Sequence, residues 1–418
     1  MWFIVPPAPH GRPGRLRSAA VTDTVLLLRG TVVPVASPPI ADGAVVVADG
    51  LVSYVGPASR APRLSPDTTE VDVGGGTIIP GLIDAHVHLV ADGSPDFPGE
   101  VAGASPQHLA LKAYANTARA LRHGIVAVRD LGAPEHAAIA AGREIADGRL
   151  MGAEVAAAGR AITAPGGHIS YLGVEARGEE QMAEAARQEL RHGAAGIKLV
   201  ATGGVLTPGV APDGAPFDES ELAAAAAVAR AAGRWVAAHA IGSEGAKRAL
   251  RAGATTIEHG SFLDREAIDL MASTGAVLVS TRIAQLRILQ NKEHIEDSAV
   301  RRAEEVYAAN IESVRDAARA GIPVAAASDA GTPFNPHGSV AEEGALLVDD
   351  IGLSNETALQ AVTSTAARCL HRPDLGHLSP GAMGHVVVTT GNPLDDIRAL
   401  AHVRTVIAAG RPVRPLLG

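Results

Sequence analysis

The sequence predicts an α/β protein: a (β/α)8 barrel joined to a small β-sandwich domain that the two ends of the chain build together. Three observations lead there. From residue 80 onward, eight short apolar runs alternate with longer Ala-, Glu- and Arg-rich segments of helical period. Several of those segments close at a glycine just before the next apolar run, the usual place for a helix C-terminal glycine. Before residue 80 and after residue 380 the helical period gives way to short β-like runs.

Taken in order, residues 1–20 read as a poorly ordered extension. Met1-Trp2-Phe3-Ile4-Val5 is followed by prolines and then Arg12, Arg15 and Arg17, the reverse of a secretory signal. Thr24–Leu28, Thr31–Val35, Ala44–Ala48, Leu51–Val55 and Glu70–Val73 read as strands, punctuated by turns such as Asp42-Gly43 and Asp49-Gly50. The barrel runs are Ile78–His88, Ile125–Leu131, Val155–Gly159, Gly196–Thr202, Trp235–Ala240, Thr256–Gly260, Ala276–Thr281 and Pro323–Asp329. Helices are expected between them over Pro106–Arg122, Glu179–His192, Glu219–Ala232, Glu244–Ala252 and Val300–Ala320. Two more, near Ser339–Asp350 and Asn355–Leu370, precede returning strands at Val386–Thr389 and Val403–Ala408. The expected domains are an extension at 1–20, a composite β-domain of 21–79 with 380–418, and a barrel over 80–379.

Composition narrows the function. The chain has 418 residues, 47% of them hydrophobic and 19% charged, enough to bury a large core. A net charge of −9 and an aromatic content of 3% leave no basic stripe or stacking platform for nucleic acid. The single cysteine, Cys369, rules out a disulfide within the chain and fits a reducing cytoplasm, the expected location. No apolar run reaches the roughly 18 residues of a membrane helix, so no membrane partner is expected.

Gly81-Leu-Ile-Asp-Ala-His-Val-His88 ends the first barrel run in two histidines at i, i+2, and alternate strand residues face the same side. Alone, His86 and His88 are either half of a metal site or one core hydrogen-bonder and one surface residue. Catalytic groups of such barrels sit at the C-terminal strand ends, and there the chain also places Lys198, His239, His259 and Asp329. Four imidazoles and a carboxylate can hold two divalent ions, which then need an anionic bridge. Lys198 stands alone inside Gly196-Ile-Lys-Leu-Val200, as a snorkelling rim lysine or as that bridge. Burial disfavours the ammonium, and a neutral amine can add carbon dioxide to form a carbamate. Water between two such ions would have its pKa lowered towards about 7. Asp329 could take its proton and pass it to the leaving group. The reaction class is metal-assisted hydrolysis.

With Glu258-His259-Gly260 and Ser328-Asp329, these residues resemble the amidohydrolase superfamily over essentially the whole length. Ile197-Lys-Leu-Val-Ala-Thr-Gly-Gly-Val205, Ser328-Asp-Ala-Gly-Thr332, Pro336-His-Gly338 and Gly391-Asn-Pro-Leu-Asp-Asp-Ile397 resemble one branch of it. That is the imidazolonepropionase-related, prolidase-like branch, with Xaa-Pro dipeptidase, arginine/lysine carboxypeptidase and ochratoxinase-type members. The resemblance implies a TIM barrel holding two ions, zinc by expectation. His86, His88 and Asp329 would hold the first, His239 and His259 the second, with N6-carboxylated Lys198 bridging. It also implies a homo-oligomer acting on a small molecule.

Around this set, His168 in Pro165-Gly-Gly-His168 matches a histidine that faces the substrate in the branch, where it would stabilise an oxyanion; the other reading is a loop turn. His337 is a substrate contact or a structural one. Arg282, just past the seventh strand, would grip a substrate carboxylate, unless it is a solvated loop arginine. Ile241 occupies the position where branch members often carry Tyr or His, which points to a more apolar pocket. His108, His123, His192 and His294 read as surface residues. The expected activity is cleavage of an amide bond in an N-acyl amino acid or dipeptide-like molecule. The competing readings are a lactone, carbamate or organophosphate ester hydrolase, a one-metal deaminase, and a non-catalytic scaffold. Lys198 argues against the deaminase, and the complete ligand set against the scaffold.

Overall fold

The structure, a computed structural model, describes residues 26–413 apart from 64, 65, 67, 208 and 209. All eight apolar runs are strands: β1 (Leu82–Val87), β2 (Ile125–Asp130), β3 (Glu154–Ala157), β4 (Gly196–Val200), β5 (Trp235–Gly242), β6 (Thr256–Phe262), β7 (Val277–Ser280) and β8 (Val324–Ala326). They pair in parallel, β1 with β2, β2 with β3, and β4 through β8 in sequence. The third run changes partners partway. β3 pairs with β2, the chain kinks at Gly159 (φ +75°), and Ala161–Thr163 then pairs with β4 through Ile162 and Leu199. On the other side, Asp329 N–H donates to His86 O and His88 N–H to Ala330 O, both at 2.8 Å, joining β1 to the segment after β8. Every residue of β1, β2, β4 and β5 is buried, as strands covered on both faces require.

The helices follow the expected periodicity with informative departures. Pro106–Arg122 starts where expected: Ser105 accepts the His108 N–H, and proline occupies the first turn. Asp218 and Glu221 form a reciprocal capping box for Glu219–Ala231. The helix expected from Val300 begins earlier, at Asp297, and ends at Arg319. Asn355–Leu370 is two helices, Asn355–Ala361 and Ser364–Cys369. They divide at Thr363, where the backbone leaves helical angles and Gly376 presses so close that a Cβ there would lie 2.6 Å from the Thr363 carbonyl carbon. A helix with no expected counterpart, Arg282–Gln290, starts directly after β7.

Both ends of the described chain meet in one seven-stranded sheet. Its order is Arg411–Pro412, Val403–Ala408, Val386–Thr389, Thr69–Pro80, Leu26–Val32, Ile40–Ala48 and Leu51–Pro57. Thr24–Leu28 and Thr31–Val35, expected as two strands, are one strand over Leu26–Val32 with a register break near Gly30. The run expected from Ile78 to His88 is divided at Gly81, with Thr69–Pro80 in the terminal sheet and β1 in the barrel. Only glycine fits there, because a Cβ would lie 2.4 Å from Val126. One face of the sheet buries Leu26, Leu28, Val45 and Val47, and the other Leu27 and Val46. The expected extension at 1–20 lies outside the described residues. Among the described residues, no helix is long and apolar enough to cross a membrane.

Candidate metal centre

His86 and His88 leave β1 towards the same space and meet His259 from β6, with the His86 ring centroid 5.4 Å from that of His88 and 5.1 Å from that of His259. His239 from β5 completes the group, 4.6 Å from the ring of His259. Each imidazole has one nitrogen tied to a protein oxygen. His86 Nδ1 lies 3.1 Å from Glu258 Oε2, and His88 Nδ1 3.3 Å from Gly132 O. His239 Nε2 lies 2.7 Å from Gly203 O, and His259 Nδ1 2.7 Å from Thr281 Oγ1. The second nitrogen of each ring is thereby left for the centre, the arrangement in which outer partners fix a ligand's tautomer and orientation. Burial, reinforced by neighbouring cations and imidazoles, holds His86, His239 and His259 well below the usual imidazole range, so these rings are neutral.

Asp329 supplies the carboxylate. Its Oδ1 is 3.5 Å from His86 Nε2 and 3.4 Å from His88 Nε2, and it is buried without a hydrogen-bond partner among the described residues. Burial alone would raise this carboxyl, but His86, His88 and Lys198 override it and hold Asp329 at about 2. One donor atom each from His86, His259 and Asp329 lies within 4.8 Å of the others. An orphaned carboxylate oxygen facing neutral imidazoles fits a divalent cation. His259 (φ +71°) and Asp329 (φ +55°) both hold left-handed backbone conformations that are costly for residues other than glycine. Asn335 braces the second, its Nδ2 donating to Ser328 O at 2.7 Å and Asp329 O at 3.2 Å. Lys198 Nζ is 3.3 Å from His86 Nε2, and burial lowers it to about 8 against the pull of Glu258 and Asp329.

The structure therefore brings His86, His88, Lys198, His239, His259 and Asp329 together. His168 joins them: its ring lies 4.6 Å from that of His239, and its Nδ1 is 2.7 Å from Thr207 Oγ1. Burial lowers it to about 3. Ile241 is buried in an apolar cluster with Val205, Ile288, Ala303 and Val306. His337 is buried too, with Nε2 2.9 Å from Ala91 O, holding the turn after β1. Arg282 does not take the expected role. It is the first residue of a helix rather than a loop residue, fully buried, and its Nη2 donates to Asp350 at 2.6 Å and its Nη1 to Asn310 at 3.0 Å. It is also stacked on Tyr307 at 4.2 Å, so its charge is engaged within the protein.

Glu258 and Arg129 were not singled out by sequence reasoning. Arg129 Nη2 donates to both carboxylate oxygens of Glu258, at 2.8 and 3.0 Å, and both side chains are fully buried. The available signal was a charge inside each of two buried runs, Arg129 beside Asp130 in one and Glu258 beside His259 in the other. Asp84 is a further case: it accepts the Ser328 N–H at 2.9 Å, and burial raises it to about 7.

Comparison with known proteins agrees with this architecture. The family model described as "Amidohydrolase family" matches residues 77–413. The ochratoxinase of Aspergillus niger is 27% identical over 94% of this chain and 87% of its own length. The imidazolonepropionase of Rhizorhabdus wittichii is 30% identical over 82% of this chain and 86% of its own. The crystal structure of a Xaa-Pro dipeptidase with bound methionine superimposes with a TM-score of 0.84 at 28% identity, covering 93% of this chain and 99% of that one. The chain belongs to the amidohydrolase family and is a hydrolytic enzyme acting on carbon–nitrogen bonds.

Proposed function

We propose that this amidohydrolase cleaves an amide bond in an N-acyl amino acid or dipeptide-like small molecule, with two divalent ions as cofactor. The observation that carries the reading is the tethering of four buried imidazoles by one nitrogen each, beside a carboxylate oxygen with no hydrogen bond among the described residues. His86, His88 and Asp329 would hold one ion and His239 and His259 the other, with carboxylated Lys198 shared between them. Zinc suits this donor set. When bound, such ions polarise the scissile carbonyl and make water acidic enough to be a nucleophile near neutral pH.

The side chains supply the proton traffic. Asp329, ionised at neutral pH, takes a proton from the water whose oxygen adds to the carbonyl carbon. It returns that proton to the amide nitrogen as the C–N bond breaks, giving a carboxylic acid and an amine. His168, neutral at this pH, can accept the Thr207 hydroxyl at Nδ1 and present Nε2–H to the developing oxyanion. Glu258, clamped by Arg129, fixes the tautomer of His86.

Metal analysis of the purified enzyme, coupled to a panel of N-acyl amino acids, dipeptides and lactones, tests this. Two ions per chain and amide turnover are expected, with Lys198→Ala and Asp329→Asn each losing at least about 100-fold in kcat, the scale of general acid–base catalysis. Turnover of lactones without amides would replace the reading with an ester hydrolase. Variants as active as wild type would sink the catalytic assignment.

A further inference from the structure

Thr281 does two things that compete. Its Oγ1 lies 2.7 Å from His259 Nδ1, and it also stands at the N-cap position of the helix Arg282–Gln290. A hydroxyl or carboxylate at that position ordinarily accepts the N–H of the second or third helical residue. Ser105, Asp264 and Ser354 do so at the head of their own helices. Thr281 makes no side-chain capping bond. The two N–H groups it could take are used elsewhere. That of Ile283 donates to Glu343 Oε2 at 2.8 Å, and that of Ala284 to the Thr281 carbonyl at 3.2 Å.

Glu343 comes from a different helix, Val340–Leu346, and is fully buried. Its carboxylate brackets Thr281, taking Ile283 N–H on one side and the Ser280 hydroxyl, at 2.6 Å, on the other. A buried carboxylate is costly without donors. Here it meets two, one of them an orphan N–H at a helix N-terminus, where negative charge is favoured. The cap is therefore made by Glu343, and the Thr281 hydroxyl stays with the imidazole. The backbone of His259 is held by another group: Asn310 Nδ2 donates to His259 O at 2.8 Å, and Asn310 Oδ1 accepts from Arg282 Nη1 at 3.0 Å. Thr281 thus governs the ring of His259 rather than its main chain.

We propose that Glu343 is a positioning residue for the metal centre: by capping the helix Arg282–Gln290 it leaves Thr281 to fix the His259 ring with Nε2 offered to a cation. This rests on the metal-centre reading above. With no acceptor in the place of the Glu343 oxygens, the Thr281 hydroxyl turns back to Ile283 N–H, and the ring loses the partner that sets its tautomer. What the position needs is an acceptor within reach of Ile283, so the length of the side chain matters more than its charge.

The test loads the enzyme with zinc and measures its retention against a competing chelator, a readout independent of turnover. Glu343→Asp, one methylene shorter, should weaken retention about 10–100-fold, the scale of a lost outer partner of a ligating histidine. Thr281→Val should do the same, and Thr281→Ser should hold zinc as wild type does. Glu343→Gln keeps the length and an acceptor oxygen, and should stay within about threefold of wild type. The double variant Glu343→Asp with Thr281→Val should be no weaker than Thr281→Val alone, because both act through one hydroxyl. Additive losses, or a harmless Glu343→Asp beside a weakened Glu343→Gln, would overturn the proposal. If Glu343→Asp does not fold, Glu343→Gln still decides, since weakened retention there removes the cap assignment. Wild type that holds no zinc would overturn this proposal together with the metal-centre reading. Zinc held without turnover of any amide would sink the amide reading alone, and retention in the variants would still decide the role of Glu343.

Discussion

Glu258 is fully buried beside His86, where a carboxylate without partners would be costly. It is stable because Arg129 meets both of its oxygens, Thr256 Oγ1 donates to Oε1, and the His86 ring lies against Oε2. Removing the charge therefore has two consequences that can be measured apart. Glu258→Gln should weaken metal retention by about 10–100-fold, the usual effect of losing an outer partner of a ligating histidine. It should also cost about 3–5 kcal/mol in urea unfolding of metal-free protein, because Arg129 is left buried and unpaired. Unchanged metal affinity beside that loss of stability would make the pair purely structural. The candidate ligands were legible in sequence because each is an unusual residue within or at the end of an apolar run: His86, Lys198, His239, His259 and Asp329. Glu258 and Arg129 break runs too, but their meaning lies in meeting across the barrel interior, and strand spacing alone does not say which charges meet.

The loop after β4 shows what an element adds to its residues. Gly203 holds His239, Gly204 admits His168, and Thr207 sets the orientation of the His168 ring. Gly204→Ala would push the His168 ring aside, since the new Cβ would stand 2.2–2.5 Å from three ring atoms. The expected result is a fall of about 10–100-fold in kcat, approaching the loss of one oxyanion donor, with metal content unchanged. A normal kcat would show that His168 takes no part in the reaction. Strand and helix positions were legible from the alternation of apolar runs with helical period, because burial on both faces leaves little freedom in β1, β2, β4 and β5. The departures come from tertiary contacts. Gly81 divides a continuous apolar run because Val126 crosses it, and Arg282 leaves the loop because a helix starts directly after β7 and Asp350 waits beside it.

At the scale of the molecule, the barrel and the terminal sheet are tied by charge as well as by packing. Glu154, the first residue of β3, meets Arg372 at 2.6 Å and His385 at 2.9 Å, and His385 leads into the strand Val386–Thr389. Burial would raise Glu154, but His385 and Arg372 outweigh it and hold the carboxyl at about 2, below its ordinary 4.5. A depressed carboxyl stabilises the fold fully above its unfolded value, and the contribution fades as pH falls from 4.5 towards 2. Melting temperature measured from pH 7 to pH 2 should therefore drop along this limb. Glu154→Gln should start lower and show a shallower decline, and parallel curves for the two proteins would place the acid sensitivity elsewhere.

The sheet built from both ends also sets a timetable for biosynthesis. Thr69–Pro80 pairs on one side with Leu26–Val32, made before it, and on the other with Val386–Thr389, made roughly 300 residues after it. At ribosomal speeds of about 5–20 residues per second, the second partner arrives roughly 20–70 s after the first. Until then one edge of Thr69–Pro80 is an open template for pairing with other chains, and β1, its continuation beyond Gly81, still waits for the segment after β8. The nascent enzyme is thus most prone to aggregation while residues 81–386 are being made, and chaperone capture should be strongest on ribosome-bound chains longer than residue 80 and shorter than residue 386.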